Sequence, residues 1–155
     1  MKNNNRSKIN MDTADYLYNN RQTFINCINS SDNDDINHII IGRWYYGVFL
    51  LAKDYLINKG YHNSCNKQYR NNSCTKQDCN LECLTHKGRN NSIWNTLGKY
   101  LKCNKKMFIS QGIQLAQLRE KYEYSTELCG INELKNAKRY FENIKNIIEK
   151  LRCIK

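Results

Sequence analysis

The residues best suited to chemistry in this chain are a histidine and an arginine set far apart in sequence. His86 stands in Thr85-His86-Lys87-Gly88, and Arg119 in Leu118-Arg119-Glu120-Lys121-Tyr122-Glu123-Tyr124. Cleaving RNA without a metal requires a base that activates the ribose 2′-hydroxyl and a cation that neutralises the charge developing on the phosphate. His86 can serve as that base, Arg119 as that cation, and Tyr124 can orient either one. The same residues also have a purely structural reading. Arg119 then pairs with Glu123 one helical turn away, and His86 caps or anchors the helix that follows.

Arg43 is the other informative charge, because it is embedded in Arg43-Trp44-Tyr45-Tyr46-Gly47-Val48-Phe49-Leu50-Leu51-Ala52-Lys53. A guanidinium on so apolar a segment must find a carboxylate or hydroxyl partner, or emerge at a groove. The first outcome makes it half of a buried pair, with Glu123 as partner, and the second makes it a phosphate contact. Tyr45 and Tyr46 read as core or dimer contacts rather than platforms for stacked bases.

A third cluster offers metal ligands. His62, Cys65, Cys74, Cys79, Cys83 and His86 lie in a stretch with no hydrophobic periodicity. Their gaps match no paired C-x2-C finger, but Cys74, Cys79 and Cys83 with Cys65 or His86 could complete the tetrahedron that zinc prefers. A structural zinc would give fold to a segment that has no core of its own. The alternative is a loop of reduced thiols. If His86 ligates metal it cannot also act as a free base, so the two readings compete.

The chain has 155 residues, which sets the expectation of one domain, 1–155, with the cysteine-rich stretch 61–86 as an insertion within it. There is no proline, and seven glycines are thinly spread, a composition that favours long uninterrupted helices. The amino terminus is polar, and no apolar run is long enough to span a bilayer, so the expected location is the cytoplasm, away from membranes. In that compartment the eight cysteines are expected as thiols.

The net charge of +11 is concentrated: residues 62–106 hold nine Lys or Arg against Asp78 and Glu82. Such a surface suits a polyanion, of which nucleic acid is the commonest. Lys87, Arg89, Lys99 and Lys102, together with Arg43, are the RNA-binding candidates. The bland alternative is a loop kept soluble by lysines.

These residues must be positioned by helices. A first helix is expected from a cap at Asp12 or Thr13, with Ala14, Leu17, Phe24 and Ile28 on one stripe, ending near Ser30. The second, Asp35 to Lys59, is apolar on nearly all faces and must be covered on most sides. Asn58-Lys59-Gly60 reads as its stop. Helical pattern resumes near Asn91 and again from Met107 through Tyr122, where Gly112 weakens it slightly. The last helix opens after Gly130 with Asn132 as cap, and its apolar stripe runs Leu134, Ala137, Phe141, Ile144, Ile148, Leu151. The expected fold is therefore all-α, an up-and-down bundle of about five helices with the cysteine-rich insertion between the second and third.

The order and spacing of the three motifs around Arg43, His86 and Arg119 resemble the HEPN family, in its small stand-alone branch. That branch's usual pattern runs R-x-Y-Y-x-x-F-x-x-A-x-x-L, T-H-K-G, then L-R-x-x-A-D-Y. The resemblance covers roughly Ile36 to Ile148, and Ala137 with Phe141 fits the family's final A-x-x-x-F. Tyr122-Glu123-Tyr124 stands here where the family has Ala-Asp-Tyr, and the cysteine-rich stretch replaces a short loop.

The resemblance implies a helical bundle, often dimeric, acting in toxin-antitoxin, defence or RNA-processing systems, commonly beside a nucleotidyltransferase. Catalytic members are metal-independent RNases with an Arg-x(4 to 6)-His motif, which this chain lacks: no arginine lies five to seven residues before any of its histidines. The leading expectation is an RNA-directed component of such a system, binding RNA through residues 62–106, with metal-free cleavage left open and no cofactor required for it. The alternatives are a non-catalytic module that pairs with a nucleotidyltransferase or another partner, and a zinc-stabilised nucleic-acid binder.

Overall fold

Hydrocarbon surface left in water costs roughly 25 cal/mol per Å², so the apolar segment that begins at Asp35 dictates what the rest of the chain must do. The computed structural model describes residues 2–28, 35–61, 92–124 and 127–153. Its elements are α1 (Lys2–Asn19), α2 (Arg21–Ile28), α3 (Asp35–Asn58), α4 (Ile93–Gly98), α5 (Lys105–Tyr124) and α6 (Ile131–Cys153). Helix α3 is central, packing against α1, α4, α5 and α6. The cysteine-rich segment lies outside the described residues, and with it Cys65, Cys74, Cys79, Cys83, His86, Lys87 and Arg89.

The side chains that seal α3 come from every neighbour. Ile36, Ile40, Ile41, Trp44, Tyr45, Val48, Leu51, Ala52 and Leu56 are buried. Trp44 ties three helices together: its ring stacks on Phe141 of α6 at 5.4 Å between centroids. It also meets Tyr18 of α1 at 5.3 Å, and its indole N–H donates to the Asp15 carboxylate at 2.8 Å. An aromatic residue of this size buries on the order of 200 Å², so each such anchor contributes several kcal/mol before entropy is counted. On another flank Tyr45 meets Trp94 edge-on at 6.3 Å, and Trp94 meets Phe108 of α5 at 6.1 Å.

The stop of α3 is as expected. Gly60 adopts φ +91°, where a Cβ would be strained, and the Tyr61 N–H reaches back to the Leu56 carbonyl at 3.0 Å. This is the wrapped C-terminal cap that glycine permits. The buried stripe of α6 is also as expected, with Leu134, Ala137, Phe141, Ile144, Ile148 and Leu151 all inside. Its first turn differs: the Leu134 N–H bonds the Gly130 carbonyl at 3.1 Å, so the helix begins at Ile131 and Asn132 lies within it.

The amino-terminal region departs most from expectation. Helix α1 starts ten residues before Asp12, because Ser7 and Met11 are needed against α3. The Ser7 hydroxyl donates to the Gly47 carbonyl at 2.8 Å, and the absence of a side chain at Gly47 leaves room for Met11. The expected single helix is interrupted at Asn20, whose side-chain amide donates to the Tyr16 carbonyl at 2.9 Å alongside the backbone N–H bond to the same oxygen at 3.0 Å. The register shift buries Ile25 and leaves Phe24 at 39% exposure. With α2 separate and α4 short, the described residues form six helices rather than about five. Among them no helix is long and apolar enough to cross a membrane.

Gly112 is a packing requirement rather than a mere weak point, since a Cβ there would overlap the ring of Trp94. Gly42 faces open space. Gly112→Ala should therefore destabilise by about 1–3 kcal/mol despite alanine's better helix propensity. Gly42→Ala should stabilise by up to about 1 kcal/mol. Urea unfolding of both variants checks the contrast, and equal effects would refute the close Trp94 contact.

Candidate functional site

The position of Arg119 follows from its register on α5. Phe108, Gly112, Leu115, Ala116 and Tyr122 are the buried residues of that helix, and Arg119 lies four after Leu115 on the same stripe. Its side chain is consequently turned inward, only 11% exposed, and a charge there must be matched by polar partners. It finds them in Glu123, which pairs with the guanidinium Nε one turn on, and in two phenols. Nη2 donates to the Tyr46 hydroxyl at 2.5 Å and to the Tyr124 hydroxyl at 3.0 Å. The cation also lies over the rings of Tyr46 at 4.8 Å, Tyr124 at 5.3 Å and Tyr45 at 5.7 Å.

Arg119 thus makes the pair with Glu123 that its structural reading expects, and it also bonds Tyr124; His86, the base expected beside it, lies outside the described residues. Burial works against the guanidinium charge, but the bond to Glu123 and the nearby phenols outweigh it and hold its pKa above the ordinary value. Burial also raises the Tyr46 phenol, with Arg119 partly opposing and Glu123 reinforcing the rise.

Arg43 emerges at a groove instead of forming the expected buried pair with Glu123. It is exposed, and its Nη1 donates to Asn10 Oδ1 of α1 at 3.1 Å; the pairing with Glu123 is made by Arg119 instead. Arg43 opens onto a groove of about 440 Å³ lined also by His38, Ile39, Gly42, Tyr46 and Glu123. Among the described residues this groove runs along the α3 face that carries His38, Ile39, Gly42, Arg43 and Tyr46. Tyr46 forms its inner wall, which gives that residue a role beyond the core contact expected for it, while Tyr45 is fully buried. Tyr124 is 72% exposed and presents a ring already polarised by Arg119.

His38 was not among the candidate site residues, yet it lines the groove with Arg43. The available signal was positional: His38, Gly42 and Tyr46 are spaced by four, which places them on one helix face. The order His38 to Arg43 inverts the Arg-to-His order of catalytic HEPN proteins, so a search for that motif passes over it.

The remaining candidates do not converge on this groove. Lys99 and Lys102 are exposed at the turn between α4 and α5. Lys102 lines a separate cavity beside Tyr55, twelve residues along α3 from Arg43 and so about 18 Å away along the helix axis. His86, Lys87, Arg89 and the four cysteines of the insertion fall outside the described residues, among which no cluster of three or more metal-ligating side chains occurs. Cys27, Cys103 and Cys153 are exposed free thiols.

Comparison with protein-family models, curated proteins and solved structures finds no match to this chain, so the HEPN resemblance rests on the motifs alone.

The buried phenol of Tyr45 gives the site a measurable pH signature. Desolvation pushes its pKa well above the ordinary 10.0, against the opposing pull of Arg119. The folded state therefore holds this proton more tightly than the unfolded chain does. The resulting stability is complete below pH 10 and is lost as pH rises beyond it. Urea midpoints should fall between pH 8 and pH 11, and the fall should shrink in Tyr45→Phe; an unchanged fall in that variant would assign it elsewhere.

Proposed function

We propose that this chain binds single-stranded RNA along the α3–α5 groove, as an RNA-directed component of HEPN type in a prokaryotic defence or toxin-antitoxin system. The observation that carries the reading is the division of labour between two arginines. Arg119 is neutralised by Glu123 and fixed by Tyr46 and Tyr124, whereas Arg43 stands exposed at the groove with a single neutral partner, Asn10, among the described residues. An exposed guanidinium offers two or more N–H donors to a phosphate. The exposed ring of Tyr124, linked through Arg119 to Tyr46 of the groove wall, can stack a base, which a single strand presents and a duplex does not. The basic stretch 62–106, including Lys87, Arg89, Lys99 and Lys102, extends the electrostatic footprint in this proposal.

Cleavage would use His38 as the base and Arg43 as the cation on one wall of the groove, with His86 as the alternative base. The second reading is a non-catalytic module that pairs with a nucleotidyltransferase or a second copy of the chain; the ion pair that neutralises Arg119 with Glu123 favours it over a cleavage scheme with Arg119 as the cation.

Oligouridylate binding followed by fluorescence anisotropy tests the RNA reading. Affinity should fall between 50 and 200 mM salt (on the order of tenfold or more), and Arg43→Ala should reduce the salt slope by about 1. Tyr124→Ala should weaken binding by about 1–3 kcal/mol without changing that slope. Affinity indifferent to salt and to both substitutions would sink the proposal. Incubation with tRNA in chelator separates the two forms of it: fragments lost in His38→Ala or His86→Ala mark an RNase, and intact RNA marks the non-catalytic module.

A further inference from the structure

A second cavity, of about 510 Å³, opens where the C-terminal end of α3 meets the turn between α4 and α5 and the last turns of α6. Its volume is in the range of pockets that hold small organic ligands, roughly 300–1,000 Å³. The floor is apolar, built from Ile147 and Leu151 of α6 and Leu101. One wall is aromatic: Tyr55, 5% exposed, meets Tyr100 edge-on at 5.6 Å, and Tyr100 is 36% exposed, a lining that suits a further aromatic ring. Around the mouth stand Lys59, Lys102 and Lys150, contributed by three different elements.

Among the described residues no acidic side chain lines this cavity. Among the described residues none of the three lysines has a carboxylate partner, and Lys59 instead lies 5.5 Å from the centre of the Tyr55 ring. Three like charges converging on an apolar pocket repel one another and would be relieved by one anion at the mouth. The chemistry of the walls thus specifies both halves of a ligand, a planar ring for the tyrosines and an anionic group for the lysines.

We propose that this cavity is a binding site for a small aromatic anion, a ring-bearing phosphomonoester or carboxylate. It is separate from the α3–α5 groove, since Tyr55 lies nine residues beyond Tyr46, about 13 Å further along α3.

Titration calorimetry of the full chain with 1-naphthyl phosphate, 1-naphthol and dodecanoate tests the assignment. 1-Naphthyl phosphate should bind at one molecule per chain, at least about tenfold tighter than either the neutral ring or the aliphatic anion. Lys59→Ala combined with Lys150→Ala, both at exposed positions, should weaken it about tenfold while circular dichroism shows helicity retained. Arg43→Ala should leave it unchanged, so that failure here is distinguishable from failure of the RNA proposal. Absence of binding, equal affinity for 1-naphthol or dodecanoate, or indifference to the lysine substitutions would each overturn the site.

Discussion

Helix α3 is too apolar to show a long face to water, and the other helices are arranged by the need to cover it. Helix α1 packs along it through Ser7 and Met11 at Gly47, α6 through Phe141 against Trp44, and α4 through Trp94 against Tyr45. Among the described residues an opening falls along Ile39, Gly42, Arg43 and Tyr46, where His38 and Glu123 join Arg43. The chemistry of the groove is set by what α3 and α5 place along it.

Arg119 illustrates how a charge is accommodated at the edge of such a core. Its position on the buried stripe of α5 compels desolvation, and the compensation is a carboxylate, two phenols and three aromatic faces. Removing one partner from a network of this kind leaves an uncompensated buried group, so the cluster behaves as a unit. The arrangement pins α5 to α3 and holds Tyr124 at the rim. Arg43, on the outer face of α3, bonds only the neutral Asn10 among the described residues and is, of the two arginines, the one with capacity for a ligand.

Much of this was legible in the sequence because periodicity reports burial directly. The span and stop of α3 and every buried residue of α6 followed from it. The start of α1 did not, since Asn3-Asn4-Asn5 and Lys8 read as solvated, and only the close approach at Gly47 reveals that Ser7 is inside. The break at Asn20 and the contact of Gly112 with Trp94 are tertiary effects, invisible to helix propensity. At the site, the pairing of Arg119 with Glu123 was foreseeable from their spacing of four, whereas its bond to Tyr124, five residues on, was not. The separation of Arg43 from Glu123 was not, because one carboxylate serves whichever guanidinium the packing brings to it. His38 was missed because it sits on a core helix whose polar residues were counted only against a motif of the opposite order.

The central claim is that the α3–α5 groove, with Arg43 and Tyr124 at its rim, is where RNA contacts this molecule. Ultraviolet cross-linking of the full chain to oligouridylate, with the attached peptides identified by mass spectrometry, tests it most directly. Cross-links on Tyr124, and on the peptide carrying His38 to Tyr46, are the predicted result. Cross-links confined to residues 62–106, with the groove peptides unmodified, would contradict it.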